Sequence, residues 1–210
     1  MQDYYAARAG EYDKIYLKPE RQANLRCIAA WLADVFAECS VLEIACGTGY
    51  WTQFYAPLAA QVVALDSAEE TLRIAEVSLR GTNVRLLEGD AYKLPALDRT
   101  FDGAFAGFWW SHMPLARIDA FLSGLQAVLQ PGAKIVFLDS RFIPGNSTPI
   151  SERDAEGNTY QLRQLEDGSM HRVLKNFPSS DELLAAVAPY AASCAYREWD
   201  YFWALEYTLA

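Results

Sequence analysis

The segment Val41-Leu42-Glu43-Ile44-Ala45-Cys46-Gly47-Thr48-Gly49-Tyr50-Trp51 constrains this chain more than any other. A short apolar run passes directly into a loop holding two glycines. Such a run reads as a strand buried on both faces, and such a strand needs helices packed above and below it. The glycines let the backbone turn sharply and approach a ligand closely. Amides at the start of a following helix would point outward and favour an anionic group.

Further apolar runs repeat the pattern at Gln61–Leu65, Val84–Leu87, Phe101–Ala106 and Lys134–Leu138, the last after the turn Pro131-Gly132. Helical spacing of apolar residues falls between them. Pro19 opens a helix over 19–37, where Leu25, Ile28, Leu32, Val35 and Phe36 share a face. Ala68–Leu79 and Leu115–Leu129 are also predicted as helices. Alternating strands and helices imply right-handed crossovers and a mainly parallel sheet. Beyond residue 140 the pattern breaks. Residues 141–178 are polar and turn-rich, and the runs on either side of Asp167-Gly168 predict a β-hairpin. A last helix is capped by Ser179 or Ser180. The aromatic tail Ser193–Leu209 is long enough for two strands at an antiparallel edge.

A length of 210 residues suits one domain over 1–210, with 1–37 as an N-terminal arm or cap and 141–178 as an inserted hairpin or lid. The formal net charge of -9 argues against a nucleic-acid partner, which would need a basic stripe. The four cysteines show no metal-ligand or Cys-x-x-Cys spacing, so no metal is expected and the thiols read as reduced and intracellular. No signal sequence is evident, and no apolar run nears the ~18 residues of a membrane span. A cytoplasmic monomer or homodimer without a membrane partner is the expectation.

Two carboxylates carry the chemistry. Asp66 closes the second run, where it could accept both hydroxyls of a ribose. Asp90 follows the third, where it could accept an adenine amino group. Open α/β sheets bind ligands at these strand ends. With the segments Val63-Ala64-Leu65-Asp66-Ser67, Glu88-Gly89-Asp90-Ala91, Phe101-Asp102-Gly103-Ala104-Phe105 and Leu129-Gln130-Pro131-Gly132-Ala133, the chain resembles the class I S-adenosylmethionine-dependent methyltransferases over nearly its whole length. The resemblance implies a Rossmann-like, mostly parallel seven-stranded sheet with an antiparallel C-terminal strand and helices on both faces. It also implies S-adenosyl-L-methionine as cofactor. The cofactor-binding candidates are then Glu43, Ala45, Cys46, Gly47, Gly49, Trp51, Asp66, Ser67, Asp90, Ala91 and Phe108. The family usually has glycine where this chain has Ala45. Related enzymes cover the cofactor with an N-terminal aromatic arm, which makes Tyr5, Tyr16 and Arg21 candidates for the methionine carboxylate, with Arg8 as a substitute.

The acceptor should meet the segment after the fourth strand, Phe108-Trp109-Trp110-Ser111-His112-Met113-Pro114. Trp109, Trp110, Arg141 and Tyr160 are the acceptor-pocket candidates. His112 is either a general base or a residue that orders a helix start, and a base is needed only if the attacking atom is protonated. Asp66 could equally cap the helix after it, and Cys46 reads as a filler. The insertion, with Arg163, His171, Arg172 and Lys175, is a lid supplying acceptor contacts or else a solvated hairpin or dimer arm. The expected reaction is methyl transfer to a small molecule with an apolar or aromatic part. One alternative is an NAD(P)-dependent oxidoreductase, whose fingerprint wants a small residue where Thr52 stands. The other is a non-catalytic cofactor-binding protein.

Overall fold

The computed structural model describes residues 9–95, 97 and 100–210, so Tyr5 and Arg8 lie outside the described residues. Among the described residues ten strands are formed: β1 Ser40–Ile44, β2 Gln61–Asp66, β3 Val84–Glu88, β4 Phe101–Gly107, β5 Leu129–Ser140, β6 Glu152–Arg153, β7 Thr159–Gln164, β8 Met170–Leu174, β9 Ala191–Glu198 and β10 Phe202–Leu209. Seven join one sheet in the order β3-β2-β1-β4-β5-β10-β9. The first five run parallel, and β10 is antiparallel to both neighbours. The order reverses between β1 and β4. The chain first builds outward through β2 and β3, then crosses back to add β4 and β5 on the other side. That reversal opens a crevice at the C-terminal strand ends.

The α-helices among the described residues are α1 Gln22–Val35, α2 Thr52–Tyr55, α3 Glu69–Ser78, α4 Ile118–Gln126 and α5 Ser180–Val187. Strand periodicity divides the core between two faces. On β5, Ile135 and Phe137 pack with Phe121 and Leu125 of α4, while Val136 and Leu138 pack with the cluster that holds Ile28 and Leu32 of α1. Central strands covered on both faces explain the near-continuous burial of β1 and β2. The helix α5 starts at Ser179, whose side chain accepts from the Glu182 amide while Glu182 reaches back to the Ser179 amide.

Several boundaries differ from the expectation. The fifth strand begins at Leu129, because Leu129 pairs with Phe101 before an irregularity carries the chain past Pro131-Gly132. Residues 19–37 divide into a 3-10 turn, Pro19–Arg21, and α1. Residues 115–129 divide into a 3-10 turn, Leu115–Arg117, and α4. The four-residue α2 is too short to show a period. The insertion is a three-stranded sheet, since β6 adds to the predicted hairpin through Glu152↔Tyr160.

The loop after β1 takes the left-handed conformation three times, at Ala45 (φ 54), Gly47 (φ 56) and Gly49 (φ 78). Ala45 is the strained member, because its Cβ crowds the following carbonyl there. Ala45→Gly should therefore stabilise the protein by about 1 kcal/mol, the relief of strain being partly offset by the freer unfolded chain. Urea unfolding midpoints of the two proteins check this.

Candidate active site

The loop is held from the next strand. The Asp66 carboxylate accepts from the amide of Gly47 at 2.8 Å and, through its other oxygen, from the amide of Ala68 at 2.9 Å and the Thr71 hydroxyl at 3.3 Å. Asp66 thus caps the entry to α3 and pins the glycine turn at once. Burial pushes its pKa up against these hydrogen bonds. Gly49 is needed for space as well as for its dihedral: a Cβ there would lie 2.8 Å from Leu79 Cδ1. Glu43 sits behind the loop rather than at the ligand face. It is fully enclosed and accepts hydrogen bonds from Thr52 and Tyr55, each at 2.6 Å. Burial raises its pKa to about 7. Cys46 is buried beside it, and burial drives its thiol well above the ordinary value, which leaves it inert as a nucleophile.

A cavity of about 270 Å³ opens at the C-terminal ends of the strands. Ala45, Gly47, Asp66, Ser67, Asp90 and Ala91 line one part. Tyr92, Phe108, Trp109 and His112 line the other. Two buried donors at its wall, the Tyr92 hydroxyl and the Trp109 indole N–H, find no hydrogen-bond partner among the described residues. Buried polar groups are normally satisfied, so a polar ligand suits this wall. Two carboxylates, a glycine-bent backbone and aromatic faces fit an adenosyl group.

The wall formed by Phe108, Trp109 and His112 is built by the end of β4. Phe108 has φ 58, and its amide donates to Leu138 at 2.6 Å. Strain of this kind gathers at functional sites. The twist parts the two tryptophans. Trp109 lines the cavity, whereas Trp110 turns into the core against Phe137 and Trp203. His112 ends the 3-10 turn Trp110–His112, and its Nδ1 lies 2.6 Å from the Leu174 carbonyl. A carbonyl only accepts, so Nδ1 carries the proton and Nε2 keeps its lone pair. Burial first, then the Lys175 and Arg163 charges, hold His112 well below its ordinary pKa.

Beneath this turn lies a buried ion pair. Lys175 donates to Asp139 at 2.7 Å and to the Ser111 hydroxyl at 2.6 Å, and the Ser111 amide donates to the other Asp139 oxygen at 3.1 Å. Burial alone would raise the Asp139 pKa, but the Lys175 charge, His112 and the hydrogen bonds outweigh it and hold it below the carboxylate norm. Asn176 continues the seam, donating its amide to Ser111 and its side chain to Met113.

Other candidates stand elsewhere. Tyr16 is buried and stacks on Tyr50 at 3.6 Å between ring centroids, and Trp51 packs beside it, so both build the aromatic support under the loop. Arg21 donates to Asn146 at 2.8 Å and lies over the Tyr201 ring. Arg141 donates to Trp199 and pairs with Glu198. Tyr160 lies on the outward face of the hairpin, under Arg172 and bonded to Asp154. Neither Arg141, Tyr160 nor Trp110 reaches the cavity. Tyr5 falls outside the described residues. Sequence reasoning overlooked Tyr92 and the Asp139–Lys175 pair. Asp139 was open to the strand-end argument already applied to Asp66 and Asp90. Among the described residues, no group of three or more His, Cys, Asp or Glu is placed to hold a metal ion.

Comparison with known proteins identifies the family. A methyltransferase domain family matches residues 41–132. The structure of DhpI bound to SAH superposes with a TM-score of 0.79 at 30% identity, covering 98% of this chain and 93% of DhpI. A DhpI-SAM-HEP complex gives a TM-score of 0.80 at the same identity. The chain therefore belongs to the S-adenosylmethionine-dependent methyltransferases. Among curated relatives, the 2-phytyl-1,4-naphtoquinone methyltransferase of Synechocystis sp. is 31% identical over 70% of this chain and 64% of its own length. The demethylmenaquinone methyltransferase of Shouchella clausii is 34% identical over 51% of this chain and 47% of its own length. The chain thus spans less than two thirds of either quinone methyltransferase.

The raised Glu43 pKa has a measurable consequence. A carboxyl whose folded pKa lies above its unfolded value contributes stability below about 4.5 that is lost as pH rises through about 7. The full window corresponds to about 3 kcal/mol. Glu43→Gln should remove that contribution, so the urea midpoint, followed across this pH range, should fall more steeply in the parent than in the variant.

Proposed function

We propose that this chain transfers a methyl group from S-adenosylmethionine to a small-molecule acceptor with an apolar or aromatic part. The observation that carries the reading is the convergence of Asp66, Asp90 and the glycine-bent loop on one cavity whose far wall is Phe108, Trp109 and His112. When bound, S-adenosylmethionine supplies a methyl group on a cationic sulfur with a neutral thioether as leaving group. The protein's part is then chiefly orientation, which can contribute roughly 7–11 kcal/mol. Asp66 and Asp90 hold the adenosine, and Ala45 and Gly47 leave room beside it. Trp109 and Phe108 offer aromatic surface to the acceptor. His112, fixed with its proton on Nδ1, takes up the acceptor's proton at Nε2 where the attacking atom carries one. The aromatic acceptors named for the quinone methyltransferase relatives support this choice. Thr52, where a dinucleotide fingerprint would place its last small residue, is buried and donates to Glu43, which disfavours the oxidoreductase reading.

In this reading residues 1–37 cap the site and 141–178 form its lid within one domain. Asp13 accepts from the Thr48 hydroxyl at 2.7 Å, Lys14 pairs with Glu166, and Arg21 bonds Asn146, so the arm is strapped between the loop and the insertion. Among the described residues, no helix is long and apolar enough to cross a membrane. The cysteines are free thiols, which supports a cytoplasmic enzyme.

Calorimetry with S-adenosylhomocysteine tests the cofactor half: the parent should bind, and Asp66→Ala should bind roughly 10–100-fold more weakly. A parent that does not bind would overturn the assignment. With hydroquinone or phenol acceptors, His112→Ala should lower kcat by about 100-fold or more at unchanged S-adenosylhomocysteine affinity.

A further inference from the structure

The far wall of the cavity holds two donors that the protein leaves unbonded. Tyr92 and Trp109 both line it. The Tyr92 hydroxyl and the Trp109 indole N–H are enclosed, and neither has a hydrogen-bond partner among the described residues. The other enclosed polar groups of this kind, on Arg21, Trp51 and Tyr207, do not line the cavity. The Tyr92 and Trp109 ring centroids lie 5.4 Å apart, and Phe121 of α4 packs against both, at 6.2 and 6.3 Å. The backbone holds each of them in place. The Tyr92 amide donates to the Asp90 carboxylate at 2.9 Å, and Trp109 follows the left-handed Phe108. The Arg117 guanidinium lies 3.5 Å from the centroid of the Tyr92 ring.

An indole N–H only donates, and a phenol that keeps its proton donates as well. Burial raises the Tyr92 pKa above the ordinary phenol value, with Arg117 acting against it and Asp90 with it, so the proton stays in place. A buried donor without an acceptor forfeits the hydrogen bond it makes in water, and an oxygen brought by a ligand restores that bond. The rest of the wall limits the charge such an oxygen can carry. Asp66 and Asp90 line the same cavity, and no lysine or arginine lines it among the described residues. His112 is neutral at ordinary pH, by burial above all. On this wall an anion meets two carboxylates and no cation, whereas an uncharged oxygen meets two donors. A carbonyl oxygen suits the pair best, because it carries two lone pairs and no proton of its own.

We propose that the acceptor is an uncharged molecule with a carbonyl oxygen on its apolar or aromatic body, and that Tyr92 and Trp109 are the residues that bind this oxygen. This rests on the cavity being the methyltransferase site and deepens that reading by naming the acceptor's polar group. A turn of either side chain toward the cavity, which both already line, brings its donor to the oxygen. The two residues then select the acceptor and set its attacking atom toward His112 on the same wall.

The test is thermal unfolding of the full chain with saturating S-adenosylhomocysteine, titrated with three probes of one shape: 4-hydroxyacetophenone, 4-ethylphenol and 4-hydroxybenzoate. The ketone should add to the shift given by S-adenosylhomocysteine and bind about 10-fold more tightly than 4-ethylphenol, which lacks the carbonyl oxygen. Tyr92→Phe, which deletes the hydroxyl alone, should erase most of that ratio while keeping both the S-adenosylhomocysteine shift and the 4-ethylphenol affinity. Trp109→Phe should lower the same ratio, although its smaller ring weakens both phenols together. A purely structural role for either residue would move the two phenols equally and leave their ratio intact. Equal binding of ketone and 4-ethylphenol by the parent, a ratio unchanged in Tyr92→Phe, tighter binding of 4-hydroxybenzoate than of the ketone, or no response to any of the three overturns the proposal. So does loss of the S-adenosylhomocysteine shift in Tyr92→Phe, which would place the hydroxyl on the cofactor. A parent that gives no shift with S-adenosylhomocysteine would instead overturn the methyltransferase reading beneath it.

Discussion

The Asp66 carboxylate is the point on which the cofactor side of the molecule depends. Its two oxygens serve two elements at once, one accepting from Gly47 in the loop after β1, the other from Ala68 at the start of α3. The left-handed turn at Ala45, Gly47 and Gly49 is costly in isolation. Tying its middle to a residue of the neighbouring strand keeps it in place. Because β1 and β2 pair in register from Ser40↔Gln61 to Ile44↔Leu65, the loop and the carboxylate arrive at the same level. The sheet therefore sets the geometry, and the hydrogen bonds select one arrangement within it.

The wall that carries His112 is organised by a different kind of contact. Lys175 and Asp139 are both buried, and breaking such a pair from one side costs about 3–5 kcal/mol. Its value to the fold lies in position. It joins the inserted sheet to the end of β5 and fixes Ser111, the residue next to His112. Leu174, one residue before Lys175, holds His112 Nδ1. The hairpin thus determines both where His112 points and which nitrogen carries its proton.

What the sequence disclosed follows the physics of each element. Central strands buried on both faces announce themselves as apolar runs, so β1, β2 and β4 were legible nearly to the residue. The start of β5 was not, because Gln130, Pro131 and Gly132 have turn chemistry and enter the strand only through an irregularity opposite β4. Cofactor candidates chosen by strand-end logic, Asp66 and Asp90, line the cavity together with Ala45 and Gly47. Candidates chosen by side-chain chemistry alone fared differently. Arg21, Arg141 and Tyr160 found partners elsewhere, since charge and aromaticity do not reveal which way a loop residue faces. Trp109 and Trp110 could not be told apart before the positive φ of Phe108 was known. The role of Lys175 depends on Asp139, far away in sequence, a pairing that no local pattern contains.

The two halves of the site also differ in what resemblance can say about them. Residues 41–132 hold the glycine loop, Asp66, Asp90 and His112, so the family match covers the strand ends that line the cavity. Asp139, Arg163 and Lys175 all lie beyond it. The segment that packs against Asp139 and His112 is an insertion outside the parallel sheet. A parallel sheet has little room to vary at its buried strands, whereas an inserted hairpin can change its inward-facing residues without disturbing the register beneath. In this protein that freedom places Lys175 against Asp139 at the end of β5 and the Leu174 carbonyl against His112.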